Sequence, residues 1–142
     1  MSVQEADFRA PLCKALLTLH HNLQRWMQTG GHADGDPDTL SVALKEAEEE
    51  SGITGLVPIS NEIFDIDIHL IPARPAKGEP AHYHYDVRYL LRAPHEQYVI
   101  SHESDDLAWW RVEDFATRAA ELDASVLRMA ELWMQQNALT EH

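Results

Sequence analysis

The most constraining feature of this sequence is an amphipathic segment from Leu40 to Ile53, which follows a glycine-rich turn and ends in a cluster of carboxylates. At about 100° of rotation per residue, a helix gathers its apolar residues within roughly 60° of Leu40 and its glutamates near 240°. The apolar stripe comprises Leu40, Ala43, Leu44 and Ala47, and the acidic stripe comprises Glu46, Glu49 and Glu50. The sequence therefore predicts a helix with one buried face and one separate acidic face.

The position of these carboxylates favours a function. In the last turn of a helix they face the negative end of the helix dipole, and like charges three or four residues apart repel by a few tenths of a kcal/mol per pair. The ordinary alternative is a solvated face, which would place its glutamates first and its lysines last. Carboxylate oxygens suit Mg²⁺ and Mn²⁺, so we expect Glu46, Glu49 and Glu50 to bind a divalent cation.

Local signals mark the ends of this helix. Asp36 or Asp38 is expected to cap the N-terminus, and Pro37 suits the first turn because its missing N–H costs nothing there. Gly52 stands where a left-handed C-terminal residue is expected, so the helix is predicted to end there.

The alternation of Asp34, Asp36 and Asp38 is similar to the start of an EF-hand loop. Thr39 and Lys45 stand where that loop requires glycine and glutamate, which excludes an EF-hand calcium site.

Periodicity predicts the remaining elements. Apolar runs or alternation favour a strand or short helix at 12–19, an edge strand at 23–28, and strands at 63–71, 82–91 and 97–101. In the third of these, Phe64, Ile66, Ile68 and Leu70 are expected to be buried, with Asp65, Asp67 and His69 on the other side. A terminal helix beginning at Glu113 and Asp114 is expected to bury the stripe formed by Leu122, Val126, Met129 and Trp133.

Size and composition point to one soluble domain. With 142 residues the chain is expected to form a single α/β or α+β unit, residues 1–142, in which residues 1–10 are weakly structured. Its net charge of −13 argues against charge-driven nucleic-acid binding, so a phosphorylated substrate needs a metal intermediary.

The single cysteine, Cys13, is expected to be a packing thiol. No leader or membrane span is recognised in the sequence, which favours a cytoplasmic location.

The acidic segment resembles the Nudix box, Gly-x5-Glu-x7-Arg-Glu-U-x-Glu-Glu-x-Gly-U, where U is a bulky aliphatic residue. The similarity covers residues 31–53. The matching residues are Gly31, Glu46, Glu49, Glu50, Gly52 and Ile53, with Ala47 at the first U position. Pro37 replaces the first glutamate of the box and Lys45 replaces its arginine, whose planar fork orients the following glutamate in the family.

This resemblance implies a Nudix-type α/β/α sandwich with a mixed sheet and an Mg²⁺-dependent (or Mn²⁺-dependent) pyrophosphohydrolase. The substrate would be a nucleoside diphosphate linked to another moiety, cleaved by water attack at phosphorus. The metal ligands would be Glu46, Glu49 and Glu50. One of these three, which the resemblance does not specify, would also act as the general base. A further carboxylate is expected from a late acidic loop, with Glu103 favoured over Asp105 and Asp106. The alternative function is a catalytically weak nucleotide-binding or regulatory module.

Two other groups of residues have competing interpretations. His82 and His84 are spaced like a cupin metal pair, but Arg88 and Tyr89 occupy the positions where a cupin has its glutamate. His82, His84 and Arg88 are therefore predicted to line the substrate pocket, with solvent-facing strand polars as the alternative. Trp109 and Trp110 cannot both face inward from one strand, so one is assigned to the core and the other to base stacking or a subunit contact.

The segment before residue 22 is short for the family. An outer strand is therefore expected to be missing, and the resulting open sheet edge favours a homodimer.

Overall fold

A computed structural model of the chain describes residues 1–4, 14–21, 23–29, 35–100 and 105–140, leaving aside the side chains of His69 and of residues 136–140. The two helices are α1 (Thr39–Ser51) and α2 (Ala124–Thr140). The strands are β1 (Ser2–Gln4), β2 (Lys14–Leu19), β3 (Trp26–Gln28), β4 (Val57–Pro58), β5 (Asp65–Ile71), β6 (His82–Arg88), β7 (Leu91–Arg92) and β8 (Asp106–Arg111).

Six of these strands form one mixed sheet. β2 pairs antiparallel with β8 along one edge, and with β1 and β3 along the other. β1 then pairs parallel with β7, which pairs antiparallel with β4. β5 and β6 form a separate antiparallel hairpin, in agreement with the strands predicted at 63–71 and 82–91.

The two helices cover opposite faces of the sheet. Leu17 of β2 packs in one core cluster with Val126 of α2, whereas the neighbouring Leu16 packs with Ile53 just beyond α1. This alternation is that of a strand buried on both faces. The predicted stripe of the terminal helix is confirmed as buried: Leu122, Val126, Met129 and Trp133. The architecture is therefore the predicted three-layer α/β/α sandwich.

The predicted burial of the β5 faces is wrong for Ile66, Ile68, Leu70 and Asp65, whereas Phe64, just before β5, packs against the core as predicted. Ile66, Ile68 and Leu70 are about half exposed, while Asp65 is buried. Among the described residues, the core clusters include none of the apolar side chains of the hairpin beyond Val87, whereas Asp65 meets arginines from β6 and α2.

Three local predictions also need correction. Gln97–Ile100 is not a strand; the N–H of Val99 instead donates to the carbonyl of Ser51 (2.8 Å). Pro37 lies before the N-cap Asp38 rather than in the first turn. The terminal helix begins at Ala124, after two 3₁₀ turns, and not at Glu113.

Within the first ten residues, which are expected to be weakly structured, Ser2–Gln4 form β1 between β2 and β7. Residues 5–10 lie outside the described residues, as do Cys13, Gly31 and Glu103. Among the described residues, neither helix is long and apolar enough to cross a membrane.

Candidate active site

A cavity of about 540 Å³ lies between α1, the base of the β5–β6 hairpin, and the ends of β2 and β3. Its volume falls within the 300–1,000 Å³ typical of small-molecule sites. The helix contributes Thr39, Val42, Ala43, Ala47 and Glu50; the hairpin contributes His84, Tyr85, Asp86, Val87 and Arg88. The cavity thus joins the acidic helix to the polar residues of β6.

Caps hold α1 in place beside this cavity. Asp38 is the N-cap, and its carboxylate accepts hydrogen bonds from the backbone N–H (3.2 Å) and the hydroxyl (2.8 Å) of Ser41. Gly52 adopts the predicted left-handed conformation, with φ of 70°, and its N–H donates to the carbonyl of Glu48 (2.8 Å). A Cβ at Gly52 would lie 3.1 Å from Cβ of Val99, so conformation and space both favour glycine here.

The three box glutamates share one face of α1, as helical spacing requires. Glu50 lines the cavity, Glu46 is half-buried one turn earlier, and Glu49 is exposed, as is Lys45. Within the described ranges, no three His, Cys, Asp or Glu side chains converge closely enough to hold a metal ion. The chemistry and helical positions of these carboxylates fit a divalent cation, but their side chains would have to turn toward a common point to hold it.

Of the three residues predicted to bind substrate, His84 and Arg88 line the cavity and His82 does not. His82 is exposed at the loop end of β6, where its Nδ1 lies 3.0 Å from the carbonyl oxygen of Pro80. His84 is half-buried, and its Nε2 is 2.8 Å from Oδ1 of Asp86. The spacing along the strand explains the position of His82 outside the cavity, since two residues along a strand separate it from His84 by about 7 Å.

Arg88 is buried and engaged by carboxylates. Its guanidinium donates to Asp65 (3.0 Å) and lies 3.5 Å from Asp86 and 3.9 Å from Asp67. Asp65 also accepts two hydrogen bonds from Arg128 of α2, at 3.2 and 2.7 Å. This buried ionic cluster (Asp65, Arg88, Arg128) ties the hairpin to α2, and it leaves little of the Arg88 charge for a phosphate.

The pKa of Asp65 reflects this setting. Burial raises the pKa, but the hydrogen bonds from Arg128 and Arg88 outweigh it and hold the pKa below its ordinary value. Asp65 is therefore a stably ionised group. Sequence reasoning assigned it to the solvent side because its arginine partners are 23 and 63 residues away.

Asp105, from the described part of the late acidic loop, contacts the turn after β2. Asp105 is 2.8 Å from Nδ1 of His21 and accepts a hydrogen bond from Gln24 (3.0 Å); both bonds lower its pKa. His20, beside His21, lines the cavity. Asp106 instead accepts from the N–H of Leu107 (2.8 Å) at the start of β8.

Sequence reasoning missed the hydroxyl groups of the cavity. The hydroxyls of Thr39 and Tyr89 are 2.7 Å apart, and Thr18 and Thr29 also line the cavity. The Thr29 hydroxyl is buried and has no hydrogen-bond partner among the described residues. Alternation along β2 could have indicated the position of Thr18, and the place of Thr29 directly after β3 could have indicated that of Thr29.

One of the two tryptophans lies in the core, as predicted. Trp110 is buried in the core with α2, while the indole N–H of Trp109 donates to the carbonyl of Glu96 (2.8 Å). Trp109 packs beside Leu16 and Leu107 and does not line the cavity, so its role in base stacking or a subunit contact stays a prediction.

Comparison with known proteins identifies the fold. No family profile and no curated protein matches the sequence. Among solved structures, the chain is similar to a C. elegans Ap4A hydrolase, with 18% identity over 96% of this chain and 94% of that one and a TM-score of 0.67. It is also similar to a Nudix-family hydrolase from Clostridium perfringens, with 18% identity over 95% and 93% of the chains and a TM-score of 0.61. It is similar as well to an E. coli dihydroneopterin triphosphate pyrophosphohydrolase, with 17% identity over 95% of this chain and 90% of that one and a TM-score of 0.59.

These similarities show that the chain has the fold of the Nudix hydrolases. The fold class predicted from residues 31–53 is thereby confirmed.

Proposed function

We propose that this protein is a divalent-cation-dependent hydrolase that cleaves a pyrophosphate bond in a nucleoside diphosphate linked to another group. The observation that carries the proposal is the acidic face of α1, whose Glu50 forms part of the wall of a 540 Å³ cavity in a Nudix fold. Three solved structures with this fold are described as hydrolases, one of them as a pyrophosphohydrolase.

The charges of the cavity support a cation as intermediary. Of the described lining residues, Arg88 alone carries a permanent positive side-chain charge, and Asp65 engages it. With a net charge of −13, the chain would repel a bare polyphosphate. We propose that Glu46, Glu49 and Glu50 hold Mg²⁺ or Mn²⁺, which when bound neutralises phosphate oxygens and lowers the pKa of water.

The chain's own residues then have distinct tasks. A carboxylate of the acidic face, Glu49 or Glu50, accepts the proton of the attacking water as its oxygen bonds to phosphorus. The bond from phosphorus to the bridging oxygen breaks, and the leaving phosphate takes that electron pair. His84, oriented by Asp86, hydrogen-bonds the substrate from the opposite wall.

The test is hydrolysis of a panel of nucleoside diphosphate derivatives in H₂¹⁸O, with product analysis and with Mg²⁺ or a chelator. We expect a nucleoside monophosphate or inorganic phosphate to appear only with the cation, and ¹⁸O on one product phosphate. Glu50→Gln should lose about 10²-fold to 10⁴-fold in kcat/KM if Glu50 is the base.

Glu48→Gln is the matched control, because it removes the same charge from an exposed position of the same helix outside the acidic face. Equal activity in the wild type, Glu49→Gln and Glu50→Gln would refute the assignment.

A nucleotide-binding module with little turnover is the second candidate. The observation that favours it is the absence, among the described residues, of three converging acidic or histidine ligands, together with Lys45 in place of the arginine of the box. Calorimetry with and without Mg²⁺ separates the two functions. Tight binding that needs no metal and gives no turnover would favour the module.

A further inference from the structure

The β5–β6 hairpin presents an uncovered apolar face. Cross-strand partners on this face are Ile66 with Val87, Ile68 with Tyr85, and Leu70 with Tyr83. Val87, at the base, packs against the cluster that includes residues of α1. Beyond it, the exposed fractions are 48% for Ile66, 55% for Ile68, 56% for Leu70, 63% for Tyr83 and 61% for Tyr85.

Such an arrangement is costly in a monomer. A two-stranded hairpin is at best marginally stable in water unless a further layer covers its apolar side. Contiguous apolar patches of several hundred Å² on soluble proteins mark interaction sites. The distal half of this hairpin therefore requires a partner.

We infer that this apolar face is the contact surface for a second copy of the chain. A large aliphatic or aromatic residue offers on the order of 200 Å² when fully exposed, so the five side chains present about 550 Å² per copy. A two-fold contact would bury about 1,100 Å² in total, which just passes the ~1,000 Å² expected of a specific interface.

The pattern of the face is also self-complementary. A two-fold axis through the Ile68–Tyr85 pair lays one hairpin on the other, so that each contact occurs twice. The two ribbons then form a small sandwich with an apolar interior, as packed sheets do. Because Tyr85 also lines the cavity, the second copy would lie beside the proposed active site.

Charge argues against one other class of partner and sets how a dimer should respond to salt. The net charge of −13 disfavours an anionic membrane surface, while the face itself carries no ionisable group other than the tyrosine hydroxyls. Two copies repel each other at long range, and salt screens that repulsion. Dimerisation through this face should therefore strengthen as salt rises, whereas a contact made by ion pairs would weaken.

The test is light scattering coupled to size-exclusion chromatography, over protein concentrations from about 5 to 200 µM and at low and high NaCl. We expect the mass to rise with concentration and with salt from 16.2 kDa toward twice that value. The double variant Ile68→Thr/Leu70→Thr keeps strand-forming residues but removes apolar surface, and it should stay at 16.2 kDa.

Val57→Thr on β4 is the control, since Val57 is 49% exposed but lies on a different strand. This variant should dimerise like the wild type. If the double variant fails to fold by circular dichroism, Tyr83→Lys tests the same face. A wild type that stays monomeric throughout, hairpin-face variants that still dimerise, or a monomer that binds neutral phosphatidylcholine vesicles through this face would overturn the inference.

Discussion

The buried ionic cluster gives the sharpest test of the packing. In Asp65→Asn, Arg88 loses its 3.0 Å carboxylate partner while only 8% of its side chain is exposed. Breaking a buried ion pair by removing one partner costs about 3–5 kcal/mol. Asp86 and Asp67 remain within 4.0 Å of Arg88, and Arg128 is 41% exposed, so both arginines keep some compensation. We therefore expect the free energy of unfolding to fall by about 3 kcal/mol.

Urea denaturation at neutral pH measures this loss of free energy. For a chain of this size, the same loss lowers Tm by roughly 10 °C. The control is Glu113→Gln, which breaks an exposed ion pair with Arg111 and should cost less than about 1 kcal/mol. Equal losses in the two variants, or a loss below about 1 kcal/mol in Asp65→Asn, would refute the claim that the cluster holds the hairpin against α2.

Three further predictions concern stability. Gly52→Ala should lower the free energy of unfolding by about 1–2 kcal/mol, because a φ of 70° strains any side chain and the new Cβ would meet Val99. Gly35→Ala is the control for backbone strain alone, since Gly35 has a φ of 84° and open space around its Cβ position. Equal urea midpoints for the two variants would contradict a contribution from the contact with Val99. Because the folded pKa of Asp65 is below its ordinary 3.8, its contribution is present above pH ~4 and is lost as pH falls through the folded pKa. Urea midpoints from pH 7 to 2.5 should therefore fall less in Asp65→Asn than in the wild type; parallel curves would contradict this. Leu17→Ala, at a fully buried position of β2, should cost about 2–5 kcal/mol in the same assay, and a cost below 1 kcal/mol would count against the two-faced core.

The helix α1 could be predicted from sequence because its signals are local. The stripe, the Asp38 cap and Gly52 all lie within 15 residues, and spacing along a helix fixes which of them share a face. The fold followed from the same segment through its resemblance to the Nudix box.

What failed depended on distant partners. Alternation in β5 identifies two faces but does not say which one is covered, and here the polar face meets Arg128, 63 residues away. Gln97–Ile100 has strand-like composition, but its backbone serves the end of α1 through the bond from Val99 to Ser51. The position of His82 outside the cavity depends on hairpin length, which periodicity does not define.

The central claim is that the acidic face of α1 binds a divalent cation beside the cavity. Mn²⁺ titration followed by electron paramagnetic resonance tests it most directly, on the wild type and on the charge-matched variants Glu50→Gln and Glu48→Gln. We expect Glu50→Gln to weaken Mn²⁺ binding at least about tenfold, as loss of a metal-site group does, while Glu48→Gln binds Mn²⁺ like the wild type. Equal binding by the two variants, or no binding by the wild type, would contradict it.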